Sequence, residues 1–161
     1  MIYRELDPSE AGFLKEMLYV SLFVPGEKVP CPRSVLERPE LSKYYLKRGS
    51  IPHDFAVVAE TDGLLVGAVW GRAHLPPHAG YGFVGIDIPE IGMAVNAEFR
   101  NQGVGAGLMR RITKHYQEQG LQSISLNVDK RNPANHLYDR LNFQVVKENT
   151  HAFIMQKLLN P

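Results

Sequence analysis

Apolar positions recur along this chain at two spacings, and the change between them divides it. Leu14, Met17, Leu18 and then Ser21-Leu22 fall three or four residues apart, the spacing of one helix face. Asp7-Pro8-Ser9-Glu10 opens that helix. Asp7 is suited to capping free amides, Pro8 to the first helical position, and Glu10 to the positive end of the dipole. Ile2 to Leu6 reads as a short strand before it. Val24 to Pro39 is rich in proline and poor in pattern, which predicts a long loop. A second short helix is expected from Pro39 through Leu46, ending before Gly49.

The period then shortens. Phe55 to Glu60 and Leu64 to Trp70 flank Thr61-Asp62-Gly63, and Asp-Gly between apolar runs predicts a β-hairpin. Pro76-Pro77 breaks the stretch after the hairpin, and Ile88 to Val95 is the next strand. Val104, Leu108, Met109, Ile112 and Tyr116 form an apolar stripe on a helix that Gly120 closes. Ser123 to Val128 alternates as a strand. Asn132-Pro133 opens a further helix with Ala134, Leu137, Tyr138 and Leu141 inward, and Phe143 to Val146 and Phe153 to Leu158 close the chain. The expected order is β-α-α-β-β-β-α-β-α-β-β, an α+β (mixed α/β) arrangement spanning residues 1–161 as one domain.

Composition narrows the class. The chain has 161 residues, enough for a core without disulfides or metals. Lys plus Arg number 18 against 17 for Asp plus Glu, which gives no electrostatic reason to expect nucleic acid or an anionic membrane as partner. No run reaches the roughly 18 apolar residues of a membrane span, and Met1 to Glu5 carries no secretory pattern. The lone Cys31 has no internal partner, which suits a cytoplasmic setting.

The chemistry concentrates at Arg100-Asn101-Gln102-Gly103-Val104-Gly105-Ala106, between a strand and the strongest helix. Glycines there let a ligand approach the backbone, and the first amides of the helix lack internal acceptors and sit at the positive dipole end. Such a place binds phosphate groups, and Arg100 is suited to add a charge-assisted contact. The kinase-type phosphate loop is excluded because no Gly-Lys occurs, and a dinucleotide fingerprint fails at Leu108. Gly80-Tyr81-Gly82-Phe83-Val84-Gly85 matches that fingerprint literally but leads into a strand, so the match is chance.

Arg-x-x-Gly-x-Gly before a helix, entered from Glu90-Ile91-Gly92-Met93-Ala94-Val95, resembles the acetyl-CoA-binding motif of the GNAT superfamily of N-acyltransferases. Leu126-Asn127-Val128, Asn132-Pro133-Ala134 and Tyr138-Asp139-Arg140-Leu141-Asn142-Phe143 resemble its second block in the right order. Asn142 stands where the family commonly has glycine, and asparagine is the best substitute in a left-handed helix end. The resemblance implies a mostly antiparallel mixed sheet of six to seven strands flanked by about four helices. It implies acetyl-CoA as cosubstrate, no metal, and residues 88–143 as the acetyl-CoA-binding core.

The resemblance also implies roles. The reaction is direct attack of an amine on the thioester in a ternary complex. An amine with a pKa near ~10.4 is almost wholly protonated at neutral pH, so a base is needed. Glu90 is the first candidate, and Asp87 and Glu98 are weaker rivals; a solvated charge or a carboxylate paired with an arginine is the competing account of Glu90. Main-chain groups of Met93, Ala94 and Val95 would meet the thioester, and Tyr138 would protonate the departing sulfur, or simply pack. Asn127, Asn132 and Asn135 would meet the pantetheine arm; Asn132 has a helix cap as an alternative duty, whereas Asn135 has none evident.

Residues 1–50, in particular Phe23 to Ser50, with His78 to Phe83, would shape the acceptor pocket, and Tyr81 and Phe83 would line it or pack. The acceptor is expected to be a small-molecule amine, with protein N-terminal or lysine acetylation as the nearer alternative. A non-catalytic acyl-CoA sensor and a phosphate-binding module unrelated to CoA are the readings from other classes, and relatives suggest a possible homodimer. His74 and His78 flank Pro76-Pro77 and are expected as surface or loop histidines, not metal ligands. Lys43 to Arg48 is expected as a solvated helix face over Tyr44 and Tyr45.

Overall fold

The computed structural model describes residues 1–22 and 31–159. Seven strands form one sheet in the order β1-β2-β3-β4-β5-β7-β6. They are β1 (Ile2–Glu5), β2 (Phe55–Thr61), β3 (Leu64–Arg72), β4 (Glu90–Val95), β5 (Ser123–Asp129), β6 (Gln144–Glu148) and β7 (Ala152–Leu158). All neighbours run antiparallel except β4 and β5, which run parallel. The helices are α1 (Ala11–Ser21), α2 (Pro39–Ser42), α3 (Val104–Glu118) and α4 (Asn135–Arg140). This is the expected mixed sheet with four flanking α-helices.

The strand period places two cores on opposite faces of the sheet. Val57, Val69, Ile91, Ile124, Leu126 and Val128 pack beneath the α3 stripe of Val104, Leu108, Met109, Ile112 and Tyr116, with Tyr138 and Phe143 at one end. Val58, Ala68, Trp70 and Ala94 face the other way, against Leu14, Met17 and Leu18 of α1 and Leu36. Local chemistry accounts for the boundaries. Asp7 and Glu10 form a reciprocal capping box before α1, with Ser9 N–H to Asp7 Oδ1 at 2.8 Å and Asp7 N–H to Glu10 Oε2 at 3.0 Å. Asp62 and Gly63 both take left-handed φ, 50° and 76°, as a two-residue hairpin turn requires. Asn142 is left-handed at φ 66°, the conformation its place after α4 calls for.

Several expected boundaries move. The loop over Val24 to Pro39 contains a 3-10 turn, Arg33–Glu37, that puts Leu36 in the core; residues 23–30 lie outside the described residues. The helix expected through Leu46 ends at Ser42: the N–H groups of Tyr44 and Tyr45 bond three residues back, to Leu41 O at 3.1 Å and Ser42 O at 3.2 Å, the carbonyls of Lys43 and Leu46 turn to the Arg72 guanidinium, and Lys47 is left-handed. β4 begins at Glu90 and not Ile88, since Pro89 has no N–H to give the ladder, although its carbonyl accepts from Ser125 N–H at 3.0 Å. Phe143 belongs to the turn after α4, with its N–H on Tyr138 O at 3.0 Å, so β6 starts one residue later. Regular helix after Asn132 begins only at Asn135. No helix among the described residues is long and apolar enough to cross a membrane.

Candidate functional site

β4 and β5 are hydrogen-bonded neighbours only at their entry, where Glu90 registers with Ser125. From Ile91 to Val95, β4 stays paired with β3, while no described residue of β4 after Glu90 pairs with β5. The sheet therefore parts, and the β5-facing backbone groups of Met93 and Val95 are left without a ladder partner there, while Ala94 between them turns its groups to β3. The start of α3 and the side of α4 converge on the same place. A β-carbon on Gly105 would stand 3.2 Å from both Met93 Cε and Leu137 Cδ2.

The loop between β4 and α3 is shaped by two left-handed residues, Asn101 at φ 59° and Gly103 at φ 82°. Arg100 ties it to the strand end, donating Nε–H to Val95 O at 2.9 Å, and Gln102 donates to Glu98 O at 2.9 Å. No side chain caps α3, and the amide of Gly107 is the one that bonds Gly103 O, at 3.0 Å. The N–H groups of Val104, Gly105 and Ala106 are thus left at the positive end of a four-turn helix, an arrangement chemically suited to an anion.

Glu90 sits at the parting point on the face that carries α1 and α2. Its carboxylate accepts from the Tyr44 hydroxyl, at 3.1 and 3.0 Å to the two oxygens, and from the Gly82 N–H. Burial pushes the Glu90 carboxyl above the ordinary carboxylate range, against the opposing pull of Tyr44, Gly82 and the Lys43 charge. Tyr44 is itself buried, its hydroxyl accepts from Tyr81 N–H at 3.1 Å, and burial first and the Glu90 charge second raise its pKa. It therefore stays protonated and donates. The segment 79–85 closes over this group: Ser125 Oγ donates to Gly82 O at 2.7 Å, and Lys43 Nζ to Ala79 O at 2.9 Å. A β-carbon on Gly80 would run into the Glu90 carboxylate.

Tyr138 is 7% exposed, with its ring edge-on to Phe143 at 5.7 Å between centroids. Its hydroxyl bonds no described residue, and burial alone pushes its pKa up to about 12. Asn127 is the exposed residue of an otherwise buried stretch of β5, on the same face as Ser125. Asn132 Oδ1 accepts from Ala134 N–H at 2.9 Å, which holds the turn ahead of α4 and not the helix cap itself, a place taken by Ala134 without a side-chain bond. Asn135 corrects the sequence reading. Its Nδ2 holds the β5–α4 turn through the carbonyls of Asp129 (3.0 Å) and Asn132 (2.9 Å), while its buried Oδ1 has no partner.

A model of the GNAT acetyltransferase family matches residues 24–143. This chain belongs to that family. The mycothiol acetyltransferase of Paenarthrobacter aurescens (strain TC1) is 33% identical over 95 residues, a match covering 57% of this chain and 28% of that protein. The chain therefore spans well under two thirds of that curated relative. Among solved structures, yncA, a putative acetyltransferase from Salmonella typhimurium with its cofactor acetyl-CoA, superposes at a TM-score of 0.71 with 18% identity, covering 100% of this chain and 95% of that one. The PaiA N-acetyltransferase of Thermoplasma acidophilum, in complex with coenzyme A, gives 0.70 at 16% identity with 98% of each chain covered.

Within this GNAT chain, Glu90 has no arginine partner among the described residues, which removes one competing account of it. Its rivals stand apart: the Asp87 side chain is 76% exposed beside His53 Nε2 at 3.3 Å, and Glu98 is exposed after β4. One expectation holds in part and one fails. His74 is the loop residue expected, but a buried one, bonding Lys43 O through Nε2 at 2.9 Å, with burial lowering its pKa. Lys43 to Arg48 is not a solvated helix face but a turn that delivers Tyr44 to Glu90. Sequence reasoning missed the contacts of Tyr44 with Glu90, 46 residues away, and of Arg72 with Asp54, 18 residues away. A tyrosine beside basic residues carries no local signal of such a role. Among the described residues no cluster of three or more His, Cys, Asp or Glu is placed to hold a metal ion.

Proposed function

We propose that the protein transfers an acetyl group from acetyl-CoA to a primary amine by direct attack within a ternary complex, and that the acceptor is a small-molecule amine. The observation that carries this reading is the parting of β4 from β5 immediately after Glu90, beside an uncapped α3 N-terminus. In this reading the diphosphate of CoA meets the amides of residues 102–106 and the Arg100 guanidinium, whose Nε is already used on Val95 O. The pantetheine arm adds to the bare edge of β4 as a strand would, on the backbone of Met93 to Val95. Asn135 Oδ1, buried and unpartnered, fits an amide N–H donor of that arm, and Asn127 is the exposed polar group nearest along β5.

Glu90 then receives the proton of the attacking amine, directly or through water. Its raised pKa keeps it a better proton acceptor than an ordinary carboxylate, and the Tyr44 and Gly82 donors keep part of its population ionised. A backbone N–H of Met93 to Val95 polarises the thioester carbonyl. Tyr138, held protonated by burial, gives a proton to the leaving thiolate. The closeness of Gly80 and Gly82 to the carboxylate leaves a narrow approach, which favours a small amine over a folded protein segment.

The test is acetyl-CoA-dependent release of free thiol across panels of small amines and of peptides. Turnover with a small amine, lost in Glu90→Gln, supports the reading. Turnover confined to peptides replaces the acceptor class, and acetyl-CoA binding with no turnover on any panel replaces the enzyme with a sensor.

A further inference from the structure

Arg72 ends β3 directly opposite Glu90 on β4, and it is 1% exposed. Cross-strand neighbours of opposite charge ordinarily pair, yet this guanidinium turns away. Its Nε and Nη2 donate to Asp54 at 3.1 and 3.3 Å, and Nη1 donates to the carbonyls of Lys43, at 2.7 Å, and Leu46. Asp54, with a side chain 2% exposed, is also paired with Arg48. Both Arg72-bound carbonyls belong to the turn after α2, where the helix stops, and Tyr44 lies between them. A buried arginine that satisfies two carbonyls out of helical register fixes that turn more tightly than its own i→i+3 bonds do.

We infer that Arg72 is a positioning residue, which, through the carbonyls of Lys43 and Leu46, fixes the turn that presents the Tyr44 hydroxyl to Glu90. This rests on the reading of Glu90 as the proton acceptor. Tyr44 supplies the side-chain donor to the carboxylate, so the placement of the turn sets how readily Glu90 ionises. The other groups facing Glu90 are the Gly82 N–H, the Lys43 ammonium from the same turn, and Ser125 across the parallel register. Tyr81 reaches it only through Tyr44, and His74 meets the Tyr44 ring edge-on at 5.7 Å. Asp54 has a second part in the arrangement. By holding the Arg72 charge it keeps an arginine from pairing with Glu90 and silencing it.

The experiment is 13C NMR titration of protein labelled at glutamate side-chain carboxyls, with the Glu90 resonance assigned by its loss in Glu90→Gln. Tyr44→Phe is expected to move the Glu90 titration to higher pH, because one donor to the carboxylate is gone. Arg72→Lys keeps the charge but not the fork of bonds, and it is expected to move Glu90 in the same direction. The double variant is expected to titrate no higher than Tyr44→Phe alone. Where the lysine variant does not fold, Arg72→Gln takes its place. An unmoved Glu90 in Tyr44→Phe or in the Arg72 variant, or shifts that add in the double, overturns the inference. Activity separates this from the parent reading: if Glu90→Gln leaves the pH profile of acetyl transfer unchanged, Glu90 is not the base, whereas the titration still decides what Arg72 does.

Discussion

Gly82 offers the sharpest test of how the 79–85 segment is seated on the sheet. Its backbone is not in the left-handed region, so alanine is conformationally allowed there and the question is one of space. An added β-carbon would stand 2.9 Å from Glu90 Cγ and 3.0 Å from both Asn127 N and Leu126 C. The last two are backbone atoms of β5 and cannot give way, so the segment must lift. Lifting costs the Ser125 Oγ to Gly82 O bond, 2.7 Å long and buried, at roughly 1–3 kcal/mol. Residual crowding adds about 1–3 kcal/mol. Gly82→Ala is therefore expected to lose roughly 2–4 kcal/mol, with the lower crowding figure applying because the segment is free to move. Urea unfolding followed by the fluorescence of Trp70, the only tryptophan and 3% exposed, reads this directly. Gly12→Ala is the control: nothing lies within 4 Å of its added β-carbon, and it sits inside α1, so it is expected to gain about 0.5–1 kcal/mol. A Gly82→Ala protein as stable as the parent, in an assay that resolves the Gly12 gain, refutes the close seating of this segment.

Acetyl-CoA at about 100 times its dissociation constant is expected to stabilise the protein by roughly 2.7 kcal/mol, about 5–11 °C in melting temperature for a chain of this size. Gly105→Leu, which fills the space shared with Met93 and Leu137, is expected to fold and lose that response; an undiminished shift would place the cosubstrate elsewhere. Glu90 is raised by burial, so folding favours its protonated form, and the stability it contributes is full below the unfolded pKa and lost as pH rises through the folded one. Glu90→Gln removes that loss, so its melting temperature relative to the parent should climb as pH rises above the ordinary carboxylate value of about 4.3. A flat difference would mean that Glu90 is not desolvated. Tyr138→Phe removes a buried hydroxyl with no partner among the described residues, so it should leave stability unchanged or raise it while lowering turnover. Equal loss of stability and turnover would make Tyr138 a packing residue only.

By itself the sequence determined the order of the elements and the glycine loop before α3, because those are set by contacts within a few residues. Helical spacing from Val104 to Tyr116, the Asp62-Gly63 turn, the Asp7 cap and the glycines at 103 and 105 each act locally, and each appears where the pattern puts it. Glu90 drew notice in the sequence for a related reason, since its strand runs straight into that loop; its role belongs to the proposal. The surroundings of Glu90 were decided only by tertiary structure. Tyr44, Gly82 and Arg72 reach it, or the turn beside it, from three separate elements, and nothing in the spacing of residues 43–48 distinguishes a buried turn from a solvated helix. The turn after α2 is itself held by tertiary structure: Arg72 of β3 takes the carbonyls of Lys43 and Leu46. Asn135 shows the same division in one side chain, its amide nitrogen spent on a turn that only the folded chain brings within reach, and its oxygen left buried and unpartnered. Local pattern specifies which backbone a segment prefers; partners distant in sequence settle what each polar side chain does, because a buried donor or acceptor must be satisfied by whatever the fold places beside it.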